Sequence, residues 1–153
     1  GFLPVSIVIE CSPFFLHMSV YDVDDIMEMI NGDGVLHGTY HWSTTDCGKD
    51  SSNGNQTHMP RDWAVAFHEY AVEYSTDHIT FVVDGKPYHT IDHTQAQLYD
   101  VPWYIILNTA CGGPWPRPID SRTVLPTYHI IDYVRVSQKK NSTKPQYVTS
   151  PSE

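Results

Sequence analysis

No long stretch of the chain has apolar residues recurring every three or four positions, so the sequence predicts no major helix. Short apolar runs separated by turn residues occur instead. The clearest pair, residues 79–83 and 86–91, flanks Asp84-Gly85, and this dipeptide tolerates the positive φ angles of a two-residue β-turn. Many short strands with spaced turns indicate an all-β sandwich or barrel.

The remaining segments are assigned by the same patterns. Further strands are predicted at residues 35–42, 64–74, 103–108 and 129–136. A tight turn at residues 31–34 precedes the first of them. Residues 43–60 are polar and rich in Gly and Ser, which predicts a long loop, and the tail 138–153 has no apolar period and is predicted to be flexible.

Length and charge restrict the function. The 153 residues suit a single domain, and 18 Asp and Glu against 9 Lys and Arg give a formal charge of -9. A nucleic-acid-binding face needs clustered positive charge to displace counterions from phosphate, so this class of partner is excluded. An acidic surface suits a neutral or cationic partner.

The apolar N-terminal residues 1–20 predict no membrane span, because Pro4, Glu10 and Pro13 interrupt them well short of the ~20 apolar residues a spanning helix needs. They lack an initiating Met and a basic start, so they do not have the pattern of a signal peptide. The triplet Asn55-Gln56-Thr57 is a glycan acceptor if the protein is secreted.

A cluster of carboxylates lies among large apolar side chains at residues 22–30 (YDVDDIMEMI from Tyr21). On a regular strand Asp25 and Glu28 would point to opposite faces, whereas a β-bulge between them would bring both to one face. An edge strand with an acidic outer face explains the cluster equally well. The residues alone leave these two interpretations level.

On one face, the two carboxylates would have a chemical use. The charge of Asp25 would disfavour ionisation of Glu28 and raise its pKa, which suits a general acid near neutral pH. Hydrolysis of a glycosidic bond needs such an acid together with a second carboxylate.

Five segments carry a resemblance to a known family in their order along the chain. They are 25–34 with 37–42 (DIMEMINGDG, HGTYHW), 67–74 (FHEYAVEY), 81–85 (FVVDG), 107–115 (LNTACGGPW) and 132–136 (DYVRV). Together they resemble glycoside hydrolase family 16, and within it the laminarinase-like endo-β-1,3-glucanases.

The resemblance implies an all-β jelly-roll sandwich of the concanavalin A-like lectin and glucanase type, incomplete at its N-terminus. Residues 1–23 do not resemble the family, residues 24–137 correspond to the C-terminal part of its domain, and 138–153 are the flexible tail. An extracellular or secretory location is also implied.

The resemblance assigns roles to three positions of the carboxylate cluster. Glu28 matches the acid/base and Asp25 the helper carboxylate, but the position of the nucleophile is Val23. The expected activity is retaining hydrolysis of β-glucan with β-1,3 or mixed β-1,3/1,4 linkages, impaired in this chain by Val23. A non-catalytic β-glucan-binding module on the same scaffold is the alternative, and a transglycosylase is a third.

Further site residues follow from the resemblance and from residue type. His41 is expected near the acid/base, and Trp115 and Asn108 are candidates for binding sugar. Asp132 corresponds to a structural calcium ligand, but calcium takes six to eight oxygens and the N-terminal contributors are missing. No cofactor is required, and the oligomeric state stays open.

Core packing is the better interpretation for Trp103, which lies inside an apolar run. Three other histidines, His37, His68 and His129, are predicted to be surface imidazoles.

Overall fold

The computed structural model describes residues 2–11, 23–43, 50–75, 77–98, 103 and 105–138. Eight strands are present in these residues: β1 (Phe2–Cys11), β2 (Val23–Glu28), β3 (Val35–Ser43), β4 (Asp50–His58), β5 (His68–Tyr74), β6 (His78–Val83), β7 (Lys86–Asp92) and β8 (Tyr128–Gln138). A short 3-10 helix at Trp63–Val65 is the one helical element in them. None of the described residues forms a helix with the length and apolarity needed to cross a bilayer.

The strands form two sheets. The larger has the order β7-β6-β5-β1-β8 and the smaller the order β2-β3-β4. β1 runs parallel to both of its neighbours, β5 and β8, whereas every other pair is antiparallel. The predicted all-β sandwich is confirmed.

The predicted hairpin at Asp84-Gly85 is confirmed. β6 and β7 pair from Val83 and Lys86 outward, and Asp84 and Gly85 have φ values of 49° and 71°. Both angles are positive, as a two-residue hairpin turn of this hand requires, which is why a residue pair such as Asp-Gly is favoured there. Asp84 also accepts a hydrogen bond from the backbone N–H of Glu69, so the turn is fixed to β5.

The core lies between the two sheets. Alternate residues of β3 point inward, and Leu36 and Tyr40 are fully buried against Tyr70 and Phe81 of the larger sheet. Trp103 packs against the same cluster and contacts Tyr74 edge to face, so the core interpretation of Trp103 is confirmed.

A close approach at Gly38 lets the sheets meet. A Cβ atom at this position would overlap the Tyr88 hydroxyl and lie 2.7 Å from Cδ1 of Phe81. A second link is the 3.1 Å hydrogen bond between Nε2 of His89 and Oδ1 of Asn53, which joins β7 to β4. The smaller sheet is therefore joined to the larger sheet by close packing at Gly38 and by the hydrogen bond between β4 and β7.

Two strand predictions are wrong. Residues 43–60 were expected to form a loop, but β4 covers residues 50–58 and pairs with β3 throughout. β4 has no apolar residues (DSSNGNQTH), so its signal is invisible to hydrophobic patterning; backbone hydrogen bonds to β3 hold it.

Residues 103–108 were expected to form a strand, but the described ones pair with no strand. Ile105, Ile106 and Leu107 are exposed, with Ile106 at 66%. An apolar run becomes a strand only where it pairs with a neighbouring backbone, and none of the described strands pairs with this run.

The other boundaries differ by small amounts. The strand predicted at 64–74 begins as the 3-10 helix Trp63–Val65 and continues as β5. The predicted strands at 35–42 and 129–136 are present as β3 and β8. The tail beyond residue 138 lies outside the described residues.

We expect Gly38→Ala to lower the free energy of unfolding by about 1–3 kcal/mol, because the added methyl group overpacks the contact with Tyr88 and Phe81. Urea denaturation would measure the change. Tyr88→Phe removes the overlapping hydroxyl, so the double variant should recover part of the loss. Unchanged stability of Gly38→Ala would contradict the described packing.

Candidate active site

The carboxylates Asp25 and Glu28 lie on one face of the smaller sheet. Asp25 is the cross-strand partner of Thr39, and Glu28 is the partner of His37. From Asp25 to Glu28 the chain advances three residues along β2, but the facing part of β3, from Thr39 to His37, advances only two. The register therefore shifts between Asp25 and Glu28. This is a β-bulge, one of the two interpretations that the residues alone left open, and it returns Glu28 to the face of Asp25.

His41 lies on the same face, two residues along β3 from Thr39. Its Nε2 atom is 3.1 Å from Oδ2 of Asp25, and both side chains are partly exposed. Partial burial raises the pKa of the Asp25 carboxyl above its usual value, and the contact with His41 opposes that rise. His41 is thus positioned to orient Asp25 and to balance its charge.

The environment of Glu28 favours its protonated form. Partial burial raises the pKa of Glu28, the nearby charge of Asp25 raises it further, and His41 acts in the opposite direction. A carboxyl group whose pKa is raised retains its proton to higher pH, as a general acid requires. The expected effect of Asp25 on Glu28 is therefore present.

The adjacent acidic residue Asp24 lies on the other face of the sheet. It pairs with Tyr40, whose side chain is buried in the core. Val23 pairs with His41 at the start of β2. Asp24 therefore cannot join Asp25 and Glu28 at the site.

A shallow depression of about 510 Å³ adjoins the carboxylates on the face formed by β3 and β4. It is lined by His37, Thr39, Ser52, Gly54, Asn55 and Gln56. Hydroxyl, amide and imidazole groups dominate this lining. They can donate and accept hydrogen bonds with a polyhydroxylated ligand.

Trp115 lies in a turn at residues 114–116, outside the sheets, and its side chain is 52% exposed. Its ring contacts the His37 ring edge to face, with centroids 5.2 Å apart and planes at 74°. Because His37 is the cross-strand partner of Glu28, this contact brings an exposed indole to the edge of the carboxylate site.

Two other predicted site residues are not brought into the cluster. Asn108 is exposed on the non-strand segment 105–113, and the described contacts do not connect it to Asp25 or Glu28. Asp132 is exposed on β8 in the larger sheet. The substrate role of Asn108 stays a prediction.

The structure does not confirm a calcium site at Asp132. Calcium needs six to eight oxygen ligands. Among the parts of the chain that the structure describes, no three His, Cys, Asp or Glu side chains lie close enough together to hold a metal ion. No role for calcium is derived.

Sequence reasoning missed His37, which is half-buried beside Trp115 rather than a surface imidazole. His68 is also not a free surface group, because its Nδ1 atom lies 2.7 Å from Oδ2 of Asp84 and its Nε2 atom 3.0 Å from the Trp63 carbonyl. The Nδ1 atom of His129 contacts the Thr109 hydroxyl at 2.9 Å. Strand alternation from His41 could have placed His37 on the site face, but nothing local predicts its contact with Trp115.

Comparison with known proteins gives a consistent result. A sequence model of the family described as glycosyl hydrolases family 16 matches residues 14–135. A β-glucanase of Rhodothermus marinus is 28% identical over 124 residues, 73% of this chain and 43% of its own. A keratan-sulfate endo-1,4-β-galactosidase of Sphingobacterium multivorum is 33% identical over 119 residues, 73% of this chain and 27% of its own.

Among solved structures, the laminarinase catalytic domain from Thermotoga maritima MSB8 superposes with a TM-score of 0.57 at 32% identity. The match covers 66% of this chain and 43% of that domain. The chain thus spans less than half the length of each of these three proteins.

We expect Glu28→Gln to stabilise the fold at pH 7 and to have little effect at pH 3. The pKa of Glu28 is raised in the folded state, so the folded state loses this proton less readily than the unfolded state does. The free energy of unfolding therefore falls as the pH rises from the pKa of the unfolded state to that of the folded state. The neutral amide removes that cost. Thermal unfolding of both proteins at the two pH values measures it; an equal shift in melting temperature at both would contradict the burial of Glu28.

Proposed function

The chain belongs to glycosyl hydrolases family 16, and from this membership we propose that its site acts on the O-glycosyl bonds of a β-glucan with β-1,3 or mixed β-1,3/1,4 linkages. The observation that carries the proposal is the bulge that sets Asp25 and Glu28 on one face. Glycoside hydrolysis needs a general acid and a second carboxylate, and this face supplies the acid, Glu28, with Asp25 beside it. The named β-glucanase and laminarinase relatives support the choice of polymer.

Glu28 is the proposed general acid. It gives its proton to the glycosidic oxygen as the bond from that oxygen to the anomeric carbon breaks, so that the leaving sugar departs as a neutral alcohol. The raised pKa of Glu28, from burial and from the charge of Asp25, keeps this proton available. Asp25, held by His41 at 3.1 Å, is the proposed helper whose charge maintains that state.

Retention of configuration would need a second carboxylate that attacks the anomeric carbon and is later displaced by water. The matching position is Val23, and a valine side chain has no lone pair with which to attack. Asp24 lies on the opposite face and offers no substitute. We therefore propose that turnover by this chain is slow or absent.

A non-catalytic β-glucan-binding module is the second candidate, and Val23 is the observation that favours it. Binding uses Trp115, His41 and the polar depression, none of which depends on a nucleophile. An exposed indole packs against the C–H face of a pyranose, and polar groups around it bond to hydroxyls. The β-galactosidase relative indicates that related sites take other polysaccharides as well.

We place the site outside the cell, because a polysaccharide of this kind does not cross membranes unaided. The triplet Asn55-Gln56-Thr57 adds no support for this location, because Asn55 lines the depression beside the carboxylates and a glycan there would fill it.

Incubation of the purified chain with laminarin, followed by an assay for reducing sugar, tests the activity. We expect at most trace release, abolished by Glu28→Gln if it arises at this site. Substantial release that survives Glu28→Gln would contradict the assignment of the acid. Release comparable with that of an intact laminarinase would contradict the role given to position 23.

Titration of laminarin against the intrinsic tryptophan fluorescence tests binding. We expect saturable binding that Trp115→Ala weakens by about three- to tenfold, the loss of roughly one aromatic stacking contact. His93→Ala, at an exposed histidine in the loop after β7, is the control and should bind like the unmodified chain. The absence of both binding and turnover would contradict both candidate functions.

A further inference from the structure

We propose that Asn31 and His37 are positioning residues that together fix the orientation of the Trp115 indole beside Glu28. The sugar-binding consequence rests on the proposed function, but the positioning itself does not. Asn31 lies in the turn that joins β2 to β3, and His37 lies in β3, so the turn after the Glu28 strand and the strand that follows it both contact the Trp115 loop.

Asn31 holds the loop from one side. Its Nδ2 atom donates a 3.0 Å hydrogen bond to the carbonyl oxygen of Pro116, the residue after Trp115. Asn31 has a φ of 53°, a conformation that Asn tolerates better than most residues. The turn is itself braced, because the Asp33 N–H donates to the Ile30 carbonyl at 3.1 Å and the Asp33 carboxylate accepts from the Val35 N–H at 2.9 Å.

His37 holds the indole itself. The rings meet edge to face at 5.2 Å, a geometry in which the positive edge of one ring faces the negative face of the other. His37 lies within β3, between β2 and β4, so its backbone is fixed by pairing on both sides. The His37 imidazole therefore packs against the Trp115 ring from a backbone position that is fixed on both sides.

The loop needs such anchors because none of its described residues is part of a strand. Residues 105–127 include no strand among those described, and Trp115 is 52% exposed. The hydrogen bond to the Pro116 carbonyl and the ring contact with His37 together restrict the orientation of the Trp115 side chain. A sugar stacked on it would then meet the Glu28 carboxyl in one defined pose, which reduces the ordering cost of binding.

Positioning can be tested without ligand. Asn31→Gly keeps the positive φ accessible and removes the whole side-chain amide, and Asn31→Asp keeps the size and removes only the N–H donor. The probe is the fluorescence anisotropy decay of Trp115, taken as the difference from a Trp115→Phe reference because the chain has 4 Trp. We expect both variants to enlarge the fast nanosecond component with little change in melting temperature. An unchanged decay in both would overturn the role of Asn31.

The role of His37 is tested by a pair of variants. His37→Ala should enlarge the same fast component, and His37→Phe, which retains a ring at this point, should restore most of the original decay. His93→Ala is the matched control and should leave the decay unchanged. Equal decays for His37→Ala and the unmodified chain would overturn the role of His37.

Laminarin affinity then tests the consequence for binding. Asn31→Gly should weaken binding by about three- to tenfold in the unmodified chain and have no further effect in Trp115→Ala, since a positioning residue acts only through the residue it positions. Equal weakening in both backgrounds would overturn the proposal. If laminarin binds neither protein, the proposed function fails, and the anisotropy decays still decide the positioning.

Discussion

In β2 the three steps from Asp25 to Glu28 lie opposite the two steps from Thr39 to His37 in β3, and this mismatch determines the chemistry of the whole face. Without it, strand alternation would send Glu28 toward the core, where a carboxyl group would lose its hydration and find no partner. With it, Glu28, Asp25 and His41 share one surface. The bulge thus turns an acidic strand into a pair of interacting carboxylates.

Such a pair is costly to maintain, because burial and mutual repulsion both oppose ionisation of Glu28. His41, which contacts Asp25, offsets part of this cost, and the strands are also packed against the core from below. β3 presents Leu36 and Tyr40 to the core, and Gly38 lets the larger sheet approach closely. His89 and Asn53 join the sheets again at β4. The sheet that carries the carboxylates is therefore packed against the larger sheet on its opposite face.

The features that depend on local chemistry could be predicted from the sequence. The features that depend on long-range contacts could not. The Asp84-Gly85 hairpin and the turn at residues 31–34 could be read from the sequence, since their backbone angles select their residues. β4 was missed because a polar strand held by backbone pairing has no apolar pattern. The 103–108 run was misassigned because it has apolar residues but no neighbouring strand. The bond from Asn31 to Pro116 joins residues 85 positions apart, a distance that no local pattern encodes.

In a glycoside hydrolase, substrate binding and bond cleavage normally occur at one site. In the proposed function of this chain, the two would depend on different residues. In the proposed function, stacking on Trp115 and hydrogen bonding in the β3–β4 depression would act on the substrate in its ground state and would not involve position 23. A nucleophile acts only as the glycosidic bond breaks, so its absence removes transition-state stabilisation and leaves ground-state binding in place. Replacing it with valine should therefore cost rate far more than affinity. Under the proposed function, a site with Glu28, Asp25 and the Trp115 indole but without a nucleophile binds a glucan and cleaves it slowly or not at all.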